Sequence, residues 1–372
     1  MNKKRVLIVT DFFTPHWTGI ATSLTYLIEQ YSREYIFEVL TVNHTNKLPA
    51  REKIGEAYVT RVPYQLSVSR AKISFLLLPK FIQMVHAFDV VFINSPNTNI
   101  LPIVFLARLF GKRVVVFHQG DLILPKGFKN WFIERFFDVQ THIACMFSQS
   151  VATYTDDYAK HSRILSKHLN KLITFLLIPK NNNIETSNLP QIAEQKKLYK
   201  TIFGFAGRYV EEKGIDVLMK AIQRLIKQTE NVHFFFAGDT TRYEKSDYFT
   251  KYAELKKYVS NLGLLDDGSM NVFMKDIDVL VLPSQSECLG LVQIEAFLKG
   301  KPVIVSDIPG ARMLVTITKY GYIFRKNSDK ELAHKLYLVT QSKNTFSQYK
   351  KNVALLLTQT TYDSAIRTFI GS

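Results

Sequence analysis

No apolar run in this sequence reaches the length of about 20 residues that a membrane-spanning helix needs. The most apolar stretches, 100–110 and 73–85, are broken by Pro, Arg or Lys. The opening segment sets three basic residues before only four apolar ones, Val6 to Val9, too few for the apolar region of a signal peptide, so a first β-strand is expected there. Only two cysteines occur, Cys145 and Cys288, far apart. That excludes a disulfide framework and a zinc finger, and it suits a reducing compartment; a cytoplasmic location is expected. Glycine and proline are also sparse, 16 and 12 in 372 residues, and no low-complexity segment suggests disorder.

What is present describes a folded protein with sizeable cores: 47% hydrophobic and 22% charged residues over a length that suits two domains. Positive charge is in excess, +16 formally, with a pI of about 9.6. Such a balance permits nucleic acid, an anionic membrane surface or phosphorylated substrates as partners. With no Cys/His finger, no aromatic RNA-binding strand motif and no long basic block, nucleic acid is not expected.

Short β-rich runs alternate with helix-compatible segments from the start: Arg5 to Thr10, Phe37 to Val42, Ala57 to Val62, Val90 to Ile93 and Arg113 to Phe117. That rhythm predicts a parallel, doubly wound sheet, and the continuously apolar runs are those of strands buried on both faces. Ile173 to Ile178 is a further strand candidate. It ends at Pro179, and the polar run Lys180 to Asn183 marks a hinge.

The rhythm then restarts with Thr201 to Phe205, a helix from about Gly214, Val232 to Ala237, a helix around Lys251 to Leu262, Asp278 to Leu282, Pro302 to Ser306 and Tyr322 to Phe324. The expectation is an α/β chain of two Rossmann-like domains, 1–179 and 184–348, facing an interdomain cleft that would hold the ligand. A C-terminal helical segment, 349–372, would cap the second domain or return to the first.

The first strand is not followed by a Gly-rich turn, since Asp11 to Ser23 contains only Gly19, and the second strand does not end on a carboxylate. That argues against a dinucleotide site. Gly207 to Gly214 is not a P-loop, because no Gly precedes Lys213 and no Ser or Thr follows it.

Two segments carry candidate chemistry. Gly207-Arg208 ends an apolar strand, and Lys213-Gly214 precedes a helix-compatible run. Two fixed cations near a helix start, among small residues, suit a diphosphate; on their own they would equally suit a surface Arg and a helix-end Lys. In Pro283 to Phe297 a polar loop carries Glu287, and a helix starting near Gly290 carries Glu295 in its early turns. Two carboxylates across such a junction can accept hydrogen bonds from hydroxyl groups, although Glu295 could equally pair with Lys299 one turn on.

Together these segments resemble the family-4 glycosyltransferases, the retaining family of GT-B fold also described as glycosyl transferases group 1. The matching residues are the Gly-Arg, four residues, Lys-Gly element at Gly207 to Gly214, Pro283-Ser284, and the Glu, seven residues, Glu element at Glu287 and Glu295. Lys301-Pro302-Val303-Ile304 and Pro309-Gly310-Ala311 continue the pattern in order. In the N-terminal half, Pro15 to Ser23 resembles the family's Gly-Gly loop with Thr18 in place of one glycine. Phe117-His118-Gln119-Gly120-Asp121-Leu122 resembles its His-containing strand end, and Asp157 to Ser162 is a weaker match.

The resemblance implies transfer of a hexose-type sugar, with retention, from a nucleoside-diphosphate sugar, UDP or GDP, to a glycan, glycolipid or lipid-linked acceptor. It implies no cofactor and no metal. Arg208 and Lys213 would neutralise the departing diphosphate, Glu287 would contact the donor sugar, and His118 would hydrogen-bond near it. Gly19, Gly207 and the amides of Leu289, Gly290 and Leu291 would line the donor, Glu295 would hold the ribose, and Asp121 would stand on the acceptor side.

Two departures bear on this. The family's further Gly-containing strand between the Leu262-Gly263-Leu264 element and the strand ending at Pro283 has no obvious counterpart, which reads as a compression of Leu265 to Ile277. The Asn-Gly expected after Pro179 is replaced by Lys180 to Asn183. The compression keeps open a catalytically silent GT-B scaffold in a glycan assembly complex, and a nucleotide-sugar epimerase of similar fold is a second alternative. Basic and aromatic residues interleave in Lys126 to Phe137, Ser69 to Phe88 and His161 to Lys171. Such stretches suit peripheral attachment to the anionic inner face of a membrane, or core-facing helices with solvated basic sides.

Overall fold

The computed structural model describes residues 3–16, 18–68, 71–124, 127–179, 188–238, 248–341, 346–358 and 360–371. The chain divides into two compact units, 1–180 with 359–372, and 181–358. Lys126 and the Lys180 to Asn183 run lie outside the described residues.

Unit 1 opens with β1 (Lys4–Val9), α1 (Gly19–Tyr31), β2 (Tyr35–Asn43), β3 (Arg51–Ile54), β4 (Ala57–Pro63) and a small hairpin of β5 (Leu66–Val68) and β6 (Ala71–Ile73). It continues through α2 (Leu77–Val85), β7 (Val90–Ser95), α3 (Ile100–Leu109), β8 (Arg113–His118), α4 (Phe128–Phe147), β9 (Ser150–Thr153), α5 (Asp156–His161) and β10 (Leu172–Thr174). Its main sheet runs β10-β9-β8-β7-β1-β2-β4-β3, parallel throughout except for β3. The central strands are buried on both faces, as their unbroken apolar runs require.

Unit 2 is built from α6 (Pro190–Leu198), β11 (Thr201–Ala206), α7 (Ile215–Leu225), β12 (Val232–Ala237), α8 (Tyr248–Lys251), β13 (Val259–Gly263), α9 (Asp267–Asp276) and β14 (Val279–Leu282). There follow α10 (Val292–Leu298), β15 (Val303–Ser306), α11 (Ala311–Thr318), β16 (Gly321–Phe324), α12 (Asp329–Gln341) and α13 (Lys350–Leu356). The sheet order β13-β12-β11-β14-β15-β16 is fully parallel and has the doubly wound Rossmann pattern, with its switch point between β11 and β14.

One expectation is corrected here. The helix anticipated around Lys251 to Leu262 stops early: α8 and a 3₁₀ turn at Ala253–Leu255 give way to β13, which pairs with β12. Leu255, Tyr258 and Leu262 imitate a helical stripe in sequence, but the open edge of β12 takes Val259–Gly263 as a strand. β13 thus takes in Leu262-Gly263, the element after which a further strand was expected, and among the described residues no strand stands between it and β14. Leu265 to Ile277 is not a compressed segment but α9 and its flanks, with Asp266 capping α9 by accepting from the Ser269 amide at 2.7 Å. The helix lies so close under β11 that a Cβ on Gly204 would stand 2.7 Å from Ile277 and 2.8 Å from Phe273, which accounts for a glycine inside a buried strand.

The anticipated strand Ile173 to Ile178 is also shorter. Only Leu172–Thr174 joins the sheet, while Phe175 to Ile178 are buried without forming a ladder. Their apolarity serves packing: Phe175 lies 5.1 Å from Phe117 and 5.6 Å from Phe369, ring centre to ring centre. Phe369 belongs to α14 (Thr360–Ile370), which is part of unit 1 and packs against β9 and β10. The C-terminal segment is thus divided. α13 stays with unit 2, where Asn352 donates to the Thr318 carbonyl at 3.1 Å, and α14 closes unit 1 with a bidentate Arg367–Glu34 pair and a 2.7 Å bond from the Tyr31 hydroxyl to Asp363.

Because Phe369 is fully buried and also meets Phe92 edge-on at 5.4 Å, Phe369→Ala should destabilise unit 1 by about 3–5 kcal/mol. Urea unfolding monitored by circular dichroism measures it, and a loss below about 1 kcal/mol would contradict this packing.

Candidate functional site

In unit 2 the candidate residues gather where β11 and β14 end, the edge of a parallel sheet at which the connections to neighbouring strands part in opposite directions. β11 leads through Gly207 and Arg208 into buried Tyr209 and Val210, a 3₁₀ turn at Glu211–Lys213, and Gly214, which sits at φ 70° before α7. A Cβ on Gly214 would stand 2.0 Å from the Pro283 carbonyl oxygen, so only glycine lets this turn lie against the loop after β14. Backbone joins the two as well: the Gln285 amide donates to the Glu212 carbonyl at 2.7 Å.

That contact brings the two sequence segments together. Lys213 Nζ donates to Glu287 Oε1, and the same oxygen accepts from the Ser284 hydroxyl at 3.2 Å. Both side chains of the ion pair are largely shielded from solvent. Arg208 is more open and pairs with Glu212, four residues on. Each cation therefore has a carboxylate partner.

Beyond Glu287 the chain passes through buried Leu289 and through Gly290 at φ 76° to Leu291, which caps α10. Glu295 lies in the first turn of α10 and is half-buried. Sequence reasoning did not single out Gln293. It is fully buried and donates through Nε2 to the Leu289 carbonyl at 2.6 Å, holding the loop that carries Leu289 to Leu291. A glutamine inside an otherwise apolar helical stripe was the available signal.

In unit 1, His118 ends β8 and is almost fully buried. Its Nδ1 meets the Ser95 hydroxyl at 3.1 Å and its Nε2 meets Asp121 Oδ1 at 3.0 Å. Asp121 also accepts from the Ser162 hydroxyl at 2.7 Å and the Arg163 amide at 2.9 Å, while its own amide donates to the Tyr158 hydroxyl at 2.6 Å. Burial alone would raise this carboxyl, but His118, through hydrogen bond and charge, with Ser162 and Arg163, holds it at about 2. Both Asp121 oxygens are thus occupied by protein donors. Asp121, expected on the acceptor side, is bonded to His118, and Tyr158 and Ser162 of the weak match help to hold it.

Gln119 ties this strand end to α1: its Oε1 accepts from Ser23 at 2.8 Å and Tyr154 at 2.7 Å, and its Nε2 donates to Asn94. Gly19 is the first residue of α1, exposed, with open space where a Cβ would be. Thr18, which stands in place of a glycine, caps the helix by accepting from the Ala21 amide at 3.1 Å. At the switch point of this sheet, between β1 and β7, Asp11 accepts from the Thr98 amide at 2.8 Å and the Thr98 hydroxyl at 3.2 Å. Among the described residues no three His, Cys, Asp or Glu side chains come together as a metal-binding group.

Residues 190–355 match the family described as glycosyl transferases group 1. Unit 2 is a group 1 glycosyltransferase domain. A phosphatidyl-myo-inositol mannosyltransferase of Mycobacterium leprae is 29% identical over 162 residues, an alignment covering 43% of this chain and 42% of that protein. The match thus spans less than half the length of that relative. Two solved structures are similar over nearly the whole chain. Anabaena HepE in complex with UDP and glucose has a TM-score of 0.72 at 17% identity, covering 99% of this chain and 100% of that one. Sucrose-phosphate synthase from Thermosynechococcus elongatus has a TM-score of 0.75 at 16% identity, covering 98% and 97%. The chain accordingly has the GT-B fold, as two Rossmann-like units.

The buried Asp11 gives a test at the switch point of unit 1. Burial pushes its carboxyl up to about 6, against the lowering pull of the bonds from Thr98. A carboxyl raised in the folded state contributes stability that is complete below its unfolded value, about 4, and is lost as the pH rises through about 6. Urea unfolding of wild type and Asp11→Asn across this window should therefore shift in the variant's favour with rising pH, by on the order of 2–3 kcal/mol. A pH-independent difference would show that Asp11 titrates normally.

Proposed function

We propose that this chain transfers a hexose-type sugar from a nucleoside-diphosphate donor, with UDP and GDP conjugates the first candidates, to a glycan, glycolipid or lipid-linked acceptor, with retention at the anomeric carbon. The observation that carries the reading is the Lys213–Glu287 pair, which joins two separate sequence elements at the switch point of unit 2. The likeness of residues 190–355 to group 1 glycosyltransferases supports it, as does the likeness of the fold to that of a protein solved with UDP and glucose.

In this reading the diphosphate draws Arg208 from Glu212 and Lys213 from Glu287, and the two cations then stand where negative charge grows as the sugar leaves. Preorganised donors of this kind are worth about 2.7–4 kcal/mol each, by analogy with lost oxyanion-hole donors. Glu287, relieved of Lys213, turns its carboxylate to sugar hydroxyls. The Leu289 to Leu291 loop, held by Gln293, lines the donor together with Gly207 and Gly19, and Glu295 accepts from the ribose. His118 stands near the sugar, with its ring fixed by Ser95 and Asp121.

No protein nucleophile is assigned; the leaving phosphate takes the acceptor proton on the same face. The reaction as written uses no metal and no cofactor. The protein acts in the cytoplasm, attached peripherally to the inner face of a membrane.

Calorimetric titration with UDP, GDP, ADP and their sugar conjugates, comparing wild type with Arg208→Ala, tests the reading. One nucleotide should bind saturably, about 100-fold more weakly in the variant if the cation supplies some 2.7 kcal/mol. Absence of binding at millimolar concentration, or equal affinity in the variant, would refute the donor site.

A further inference from the structure

Helix α4 is amphipathic in the reverse of the usual sense. A helix on the surface of a folded unit buries its apolar stripe and shows its charges to water. Here the buried positions are Asp138, Thr141, Ala144 and Cys145. The helix's acids are turned inward to an arginine of the same unit: Asp138 accepts from Arg163 Nε at 2.9 Å and Nη2 at 3.0 Å and from Arg135 at 2.9 Å. Glu134 lies 3.7 Å from Arg163 and accepts from the Leu124 amide at 2.6 Å.

The opposite side shows Phe128, Phe132, Phe136 and Val139, with relative exposures of 81, 62, 56 and 58%, and Trp131 beside them at 55%. Spacings of four, four and three residues set these side chains in one line along the helix. The apolar surface runs on to Phe147, which meets the exposed Phe105 of α3 at 4.9 Å. A contiguous exposed stripe of this length marks an interaction surface, which singly exposed apolar residues do not.

Charge narrows the occupant. The exposed ionisable residues along this surface are basic, Lys129 on α4 and Arg108 on α3, while Glu134 and Asp138 are engaged inward and no acid occurs from Ile100 to Gly120. A second copy of this chain would bring a like-charged face against this one, from a protein that already carries +16. Aromatic side chains bordered by Lys and Arg without free carboxylates instead match the interface of an anionic bilayer, where rings sit at headgroup depth and cations meet lipid phosphates.

We infer that the outer face of α4, centred on Trp131, Phe132 and Phe136, is the surface by which this protein docks on an anionic lipid bilayer. This deepens the peripheral location given with the proposed function. It requires no part of the transfer reaction, so its test needs no activity measurement.

The test is co-sedimentation of the full chain with vesicles of phosphatidylcholine alone or mixed with phosphatidylglycerol. Wild type should bind the mixed vesicles, with weakening as salt rises. The double substitution Phe132→Ser and Phe136→Ser should lower the partition about ten-fold, since binding scales with the apolar area inserted, and Lys129→Glu should lower it further. Leu355→Ser, which alters an exposed apolar residue of unit 2, should leave it unchanged. The mutated rings are solvent-exposed, so thermal unfolding should not move, and a variant that keeps its melting temperature but loses vesicle binding supports the inference. Failure of wild type to sediment with the mixed vesicles overturns it, as does undiminished binding by the double variant. A dimer in sedimentation velocity that the double substitution dissolves would assign the face to a second copy instead. Failure of nucleotide binding with vesicle binding intact would count against the donor site alone.

Discussion

The arrangement of unit 2 depends on one geometric constraint: in a parallel sheet every strand releases its chain at the same edge, and at the β11–β14 switch point two such releases open side by side. What unit 2 contributes to the proposed donor site follows from that opening. The turn after β11 and the loop after β14 lie near each other because both leave the same edge, and Gly214 removes the Cβ that would keep them apart. Lys213 and Glu287, 74 residues apart in sequence, then form a shielded pair. Breaking such a pair by removing one partner leaves a charge without compensation; in the proposed function the diphosphate compensates Lys213, while Glu287 keeps the Ser284 hydroxyl and gains sugar hydroxyls.

Unit 1 repeats the architecture with a different chemical filling. Its strand ends carry neutral hydrogen-bonding groups and two carboxylates held by protein donors, Asp11 and Asp121. His118 is fixed at both ring nitrogens, by Ser95 and by Asp121, and Asp121 is fixed by three further groups. Rigidity of this kind presets the position and tautomer of the imidazole, which costs less than ordering it when a ligand arrives.

The reversed polarity of α4 belongs to the same logic of competing demands. Arg163 needs carboxylates, and Asp138 and Glu134 supply them from the inner side of the helix. With the charges committed inward, the aromatic residues of the stripe are left outside. Periodicity shows only that a helix has an apolar stripe; which side faces the core is decided by what waits there, in this case a guanidinium.

Much of this was legible in the residues. Unbroken apolar runs marked β1, β7, β8, β11 and β14 because strands buried on both faces have no polar side to show. The Gly207 to Gly214 and Pro283 to Glu295 elements were recognisable because their chemistry depends on residue type at fixed local spacing. Where periodicity was ambiguous, pairing decided: Val259–Gly263 read as the end of a helix until the edge of β12 claimed it, and Phe175 to Ile178 read as strand although Phe175 packs on Phe117 and Phe369. The sequence by itself determined the α/β class, the two units and the identity of the charged groups, all of which rest on local pattern. Only the tertiary structure decided which groups meet, Lys213 with Glu287, Asp121 with His118 and α14 with the first sheet, because contacts between distant residues depend on strand order and close approach that no local spacing encodes.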